Sequence, residues 1–231
     1  MTRPDLTDIT LVLDRSGSMQ SVRDATIEAF NGFITSQRTG AGAARVTMIQ
    51  FDDQYEVLYR DQPIAQAPLL TDQTFLPRGS TALLDALGRA MVEAGVRLRE
   101  TPDAERPGTV LFVTLTDGAE NSSHSFNAAQ INSMIAEQRD KYAWQFVFLA
   151  ANQDAIATAA QLGIGHDQAL TMAASPAGMH GTMNALNDKM HQMRTSKAAG
   201  HADAELLFDE EDRVAAAPES PPATKKGRKG K

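Results

Sequence analysis

Short apolar runs alternate along the chain with longer segments in which apolar residues recur every three or four positions. The run Ile9–Leu13, for example, precedes a segment that carries Ile27, Phe30 and Ile34 on one helical face. Apolar runs of this length are typical of strands buried on both faces, and the longer period is typical of amphipathic helices. The pattern therefore predicts strands that alternate with helices.

Six strands are predicted, over Thr7–Leu13, Arg45–Phe51, Glu56–Arg60, Val110–Leu115, Gln145–Ala151 and Ala169–Met172. Helices are predicted over Ser18–Gln37, Ala82–Arg99, Asn127–Lys141, Asp154–Leu162 and Pro176–Thr195. The short turn Asp52–Gln54 predicts that the third strand is an antiparallel edge strand. The remaining alternation predicts an α/β fold with a Rossmann-like, doubly wound, mostly parallel six-stranded sheet and helices on both faces.

Three polar turns lie at the ends of these elements. They are Asp14-Arg15-Ser16-Gly17-Ser18 after the first strand, Gly79-Ser80-Thr81 before the second helix, and Thr116-Asp117-Gly118 after the fourth strand. Each turn alone is explained equally well by a helix cap or a tight turn. Ligands of such sheets bind at the carboxyl ends of the strands, so all three turns can converge on that edge. Together they offer three hydroxyls and two carboxylates, which are the ligand types of a hard divalent cation.

The order Asp14-x-Ser16-x-Ser18, then Thr81, then Asp117 resembles the complete metal-ion-dependent adhesion site (MIDAS) of von Willebrand factor A domains. The resemblance implies that Ser16 and Ser18 bind the metal through their hydroxyls. It implies that Thr81 binds the metal directly in one state and through water in another. Asp14 and Asp117 would act mostly through water or by holding the ligands. The order of strands and helices along the chain resembles that of the family over about residues 6–195.

The resemblance implies Mg²⁺ as the cofactor, with Mn²⁺ or Ca²⁺ as alternatives. Mg²⁺ demands octahedral oxygen ligation and tends to keep several waters. Neutral hydroxyls leave its charge poorly neutralised, so we expect the metal to take an Asp or Glu carboxylate from a protein partner. The resulting hypothesis is a metal-dependent protein–protein interaction module. Relatives of this kind act as adaptors for larger assemblies, including ring ATPases, and the resemblance implies such a role here.

Two alternatives stay open. One is a metal-dependent hydrolase or phosphatase that uses the same ion, and the other is a structural subunit with an unoccupied site. A hydrolase needs an activated nucleophile or a base within hydrogen-bond reach. Only His124, seven residues after Asp117, is a candidate base, and an exposed loop histidine explains it more simply. We therefore predict no catalytic residues and no enzyme activity.

Composition and charge limit the cellular compartments and the classes of partner that are expected for this protein. The 231 residues carry a net charge of −7, which argues against nucleic acid as the main partner. Cysteine is absent, which excludes disulfides and thiolate metal sites. The start lacks the apolar stretch of a signal peptide, and no run approaches the ~20 apolar residues of a membrane span. These features predict a cytoplasmic protein without membrane contact.

The composition changes near residue 198. An acidic block over Asp209–Asp212 is followed by prolines and then by a basic end over Lys225–Lys231. These charge blocks predict a disordered tail over residues 198–231 that follows a domain over residues 1–197. The basic end is expected to bind nucleic acid only weakly. A further hypothesis makes Glu205–Asp212 a tethered acidic ligand for the metal site, and a solvated tail is the simpler interpretation.

Overall fold

A computed structural model describes residues 2–151 and 155–217. The strands are β1 Arg3–Asp14, β2 Ala43–Phe51, β3 Tyr55–Pro63, β4 Pro107–Thr116, β5 Gln145–Ala150 and β6 Ala169–Thr171. They form one sheet in the order β3-β2-β1-β4-β5-β6. The pair β2–β3 is antiparallel, and the other neighbouring pairs are parallel. The fold class predicted from the alternation is confirmed.

The helices of the described residues are α1 Arg23–Gln37, α2 Leu83–Glu100, α3 Ala128–Tyr142, α4 Ala155–Gln161, α5 Pro176–Ala198 and α6 Glu210–Ala216. A 3₁₀ helix over Gly17–Val22 connects the first polar turn to α1. Asp154, the predicted start of the fourth helix, lies outside the described residues. None of the helices in these two ranges is long and apolar enough to cross a membrane.

The central strand β1 divides two apolar cores. Ile9, Leu11 and Leu13 point into the core that contains residues of α1 and α5. Val12 points into the other core, which contains residues of α2 and α3. Every residue from Leu6 to Asp14 is buried, because β1 lies between β2 and β4 and is covered on both faces. Asp14, the last residue of β1, is therefore held in a fixed position at the carboxyl edge of the sheet.

The chain after α5 differs from the disordered tail that composition predicted. Leu206 and Phe208 are buried, and the N–H of Phe208 donates to the carbonyl of Asp167 at 2.7 Å. The α6 helix approaches α5 so closely that a Cβ on Gly181 would lie 2.0 Å from the carbonyl oxygen of Ala215. A few well-placed apolar residues bury themselves here despite the polar average. Packed structure continues to residue 217, beyond the expected boundary at 197, and residues 218–231 lie outside the described residues.

The same segment does not lie where a tethered metal ligand would lie. The N–H of Leu206 donates to the side chain of Gln145 at 2.9 Å. Gln145 begins β5, so this contact is at the edge of the sheet opposite the strand carboxyl ends. Asp209 accepts hydrogen bonds at the start of α6 and pairs with Lys189. The structure therefore places this acidic segment in packing and capping contacts away from the predicted site.

Leu206 and Leu207 provide a test of the packed segment. Leu206 is 0% exposed and its neighbour Leu207 is 44% exposed. We expect Leu206→Ala to lower the free energy of unfolding by about 2–5 kcal/mol, because it removes buried apolar volume. Leu207→Ala is the matched control, and its effect should stay within about 0.5 kcal/mol. Urea denaturation measures both values, and equal small effects would show that the segment is not docked.

Candidate metal centre

The structure brings together the predicted site residues of the first and third polar turns. Asp14 ends β1, and its Oδ1 accepts the N–H of Ser16 at 2.6 Å. The hydroxyl oxygens of Ser16 and Ser18 are 3.1 Å apart. The Ser18 hydroxyl donates to Asp117 Oδ1 at 2.6 Å. Four side chains from two turns that are distant in sequence therefore share one hydrogen-bond network at the carboxyl edge of the sheet.

Gly118 shows where Thr81 lies relative to this network. A Cβ built on Gly118 would be 2.9 Å from Thr81 Oγ1, 3.5 Å from Ser18 Oγ and 3.7 Å from Ser16 Oγ. One point in space is thus within 4 Å of all three hydroxyl oxygens. The absence of a side chain at Gly118 keeps this small polar space free.

Burial sets the electrostatics of the two carboxyls. Asp14 is fully buried, and burial raises its pKa. Hydrogen bonds from Thr116 and Ser16 oppose that shift, and the nearby charge of Asp117 adds to it. Burial also raises the pKa of Asp117, against the hydrogen bond from Ser18. A cation beside them would stabilise both ionised carboxylates and reverse these shifts.

The donor set fits a hard divalent cation, because every side chain around the space offers an oxygen. In residues 2–151 and 155–217, no group of three or more His, Asp or Glu side chains could hold a metal ion. A carboxylate- or imidazole-rich centre is therefore not found in that part of the chain. The hydroxyl-rich cluster is the candidate centre, with Ser16, Ser18 and Thr81 as neutral donors and Asp14 and Asp117 as the charged groups.

Thr116 belongs to the site, although the sequence singled it out only as part of a turn. Its hydroxyl donates to Asp14 Oδ2 at 2.5 Å, and its Oγ1 accepts the N–H of Gly118 at 3.2 Å. Thr116 therefore joins the end of β1 to the turn that carries Asp117. Its position as the last residue of β4, next to a predicted ligand, is the signal that could have identified it.

Thr81 is held by the loop that follows Asp117. Its N–H donates to Asn121 Oδ1 at 2.9 Å, and the N–H of Asn121 donates to the Thr81 carbonyl at 3.1 Å. Asp85, in the first turn of α2, accepts the N–H groups of Ser125 and Phe126, each at 2.8 Å. The second and third polar turns are thus connected by backbone and side-chain hydrogen bonds, which sequence reasoning missed.

His124 lies in this connecting loop. Its N–H donates to Asp85 Oδ2 at 2.9 Å, and its exposed side chain lines a groove of 390 Å³ with Tyr55, Asp85 and Phe126. The hydrogen bond is made by the backbone of His124, and its side chain is exposed in a loop, as the simpler interpretation expects.

Comparisons with known proteins identify the fold. No protein-family model and no curated protein sequence matches the chain. Among solved structures, the pilus adhesin SpaC from Lactobacillus rhamnosus GG matches with a TM-score of 0.57 and 15% identity, over 80% of this chain and 30% of SpaC. Proximal thread matrix protein 1 (PTMP1) from the mussel byssus matches with a TM-score of 0.55 and 14% identity, over 79% of this chain and 45% of PTMP1.

A further structure of PTMP1, described as having a zinc-occupied MIDAS motif, matches with a TM-score of 0.50 and 16% identity, over 85% of this chain and 46% of that chain. The chain has a von Willebrand factor A-like fold. Identities this low show the fold alone. The chain also spans less than half the length of these proteins.

Gly118 provides the sharpest test of the site. We expect Gly118→Ala to weaken Mg²⁺ binding about tenfold or more, because the new methyl group would lie within 4 Å of all three hydroxyl oxygens and disturb their positions. Gly95→Ala, in α2, is the matched control, since a Cβ there meets nothing within 4 Å. It should keep the metal affinity and stabilise the helix by about 0.5–1 kcal/mol. Calorimetric titration measures affinity, and unchanged binding in Gly118→Ala would place the ion elsewhere.

Proposed function

We propose that this chain is a member of the von Willebrand factor A family whose metal centre binds Mg²⁺ and, through it, a carboxylate of a protein partner. One observation carries the proposal. Three hydroxyls and two carboxylates from three separate turns meet at the carboxyl edge of the sheet, where ligands of such folds bind. Mn²⁺ and Ca²⁺ prefer the same oxygen donors and are alternative ions.

The different contacts of the five residues support the binding of a cation that keeps an open position for a partner. Ser16, Ser18 and Thr81 would supply neutral oxygens to the ion. Asp14 is already engaged by the N–H of Ser16 and the hydroxyl of Thr116, so it would orient the ligands or act through bound water. Asp117 would do the same through the Ser18 hydroxyl. An ion held mainly by neutral donors keeps enough net charge to attract an anionic group from outside.

The solved neighbours support the same assignment. The PTMP1 structure with a zinc-occupied MIDAS motif is a protein of this fold that holds a divalent cation. SpaC is a pilus adhesin, so a protein of this fold also takes part in adhesion. For the present chain we propose a non-catalytic, cytoplasmic adaptor that offers its metal edge to a larger assembly such as a ring ATPase.

Chelation tests the binding hypothesis directly. The immobilised protein should capture its partner from the native lysate in Mg²⁺ and lose it in EDTA, because the bridging ion is removed. Asp117→Ala should lose the partner in both conditions. Asp140→Ala removes the same charge from an exposed residue near the end of α3 and should behave like the unchanged protein. Capture that is equal in Mg²⁺ and EDTA would contradict a metal bridge.

The hydrolase alternative has a separate test. With Mg²⁺ or Mn²⁺ present, a non-catalytic site predicts that the protein hydrolyses p-nitrophenyl phosphate no faster than Asp117→Ala does. Turnover that exceeds this background and disappears in Asp117→Ala would instead support a metal-dependent phosphatase.

A further inference from the structure

Asp52 lies next to the metal centre without being one of its predicted ligands. It is the first residue after β2, and its side chain is 0% exposed. A buried carboxylate is costly unless it is paired and hydrogen-bonded, so its partners indicate what it holds together.

The Asp52 carboxylate binds two arginines and one backbone amide. Its Oδ2 accepts from Arg15 Nε at 3.1 Å and from Arg78 Nε at 2.8 Å. Its Oδ1 accepts the N–H of Gln54 at 2.6 Å. The carbonyl oxygen of Asp52 also accepts the N–H of Ala82 at 2.9 Å. One residue therefore contacts three different loops.

Two of those loops carry the neutral donors of the metal centre. Arg15 stands between Asp14 and Ser16, and Arg78 comes three residues before Thr81. The loops also meet through their backbones, since the N–H of Arg78 donates to the Arg15 carbonyl at 2.8 Å. The carboxylate of Asp52 holds together the side chains of the same two arginines.

The positive charges of the two neighbouring arginines favour the ionised form of Asp52. Burial alone would raise the pKa of Asp52, but hydrogen bonds from Arg78 and Gln54 and the positive charges of Arg15 and Arg78 lower it below its usual value. Asp52 is therefore ionised at neutral pH. The Arg15 side chain is only 5% exposed, and the other acid that it contacts, Glu56, is half-exposed. Asp52 is thus the buried counter-ion of Arg15.

We propose that Asp52 is a positioning residue for the metal centre. Without touching the ion, Asp52 sets the distance between the loop that carries Ser16 and Ser18 and the loop that carries Thr81. The inference rests on the proposed function, because it assumes that both loops bind one cation. Side chains that orient metal ligands typically contribute about 10–100-fold to metal affinity. A purely structural role would change the stability of the metal-free protein and leave its metal affinity unchanged.

The experiment compares two buried ion pairs. Asp52→Asn keeps the shape of the side chain and removes its charge. Asp8→Asn is the matched control, since Asp8 is 2% exposed and binds Arg97 at 2.6 and 2.8 Å in the middle of β1, away from the carboxyl end of that strand. Mg²⁺ affinity is measured by calorimetry in the full chain, and stability by thermal unfolding in EDTA. We expect both variants to lose stability, but only Asp52→Asn to lose metal affinity, by about tenfold or more.

Arg78→Gln keeps the proposal testable if Asp52→Asn does not fold, because the Arg78 side chain is 53% exposed and we expect its replacement to leave the protein folded. It should also weaken Mg²⁺ binding. In the double variant with Asp52→Asn, where that folds, the two effects should be less than additive because they break the same interaction. Unchanged affinity in Asp52→Asn or, if that variant is unfolded, in Arg78→Gln overturns the inference while the proposed function stands. If the wild-type protein binds no Mg²⁺, both the inference and the proposed function are overturned.

Discussion

The parallel pairing of β1 with β4 brings the two halves of the candidate site together. Leu13 pairs with Leu115 in this register, so Asp14 and Thr116 arrive together at the carboxyl edge. The Thr116 hydroxyl can then donate to Asp14, and the turn that follows presents Asp117 to Ser18. A shift of one residue between these strands would turn each side chain to the other face and separate the two halves of the site.

The two buried carboxyls of the site carry an electrostatic cost. Asp14 and Asp117 are both shifted towards protonation by burial, so ionising them without a cation is unfavourable. A divalent ion would offset that cost, and its remaining charge would be available to a partner. The hydrogen bonds that orient the ligands come from neutral groups, namely the Ser16 amide and the Ser18 and Thr116 hydroxyls.

Local pattern was sufficient to predict the strands and the positions of the three polar turns. The mostly parallel sheet, with the three turns near its carboxyl edge, could be expected because parallel α/β sheets leave few topological choices. The order of the strands in the sheet comes from the structure alone. Thr116, Asn121 and Asp52 were not recognised as parts of the site, since their roles depend on contacts between residues far apart in the sequence. The packed segment after α5 was missed for a related reason. Its average composition is polar, whereas its burial depends on a few apolar residues such as Leu206, Phe208 and Ala216.

The most direct test of the metal centre is a crystal structure of the protein with Mn²⁺, in which an anomalous difference map locates the ion. We expect one strong peak at the carboxyl edge of the sheet, about 2.0–2.3 Å from the hydroxyl oxygens of Ser16 and Ser18. Full occupancy of Mn²⁺ at any other position, or no peak in crystals soaked with millimolar Mn²⁺, would contradict this expectation.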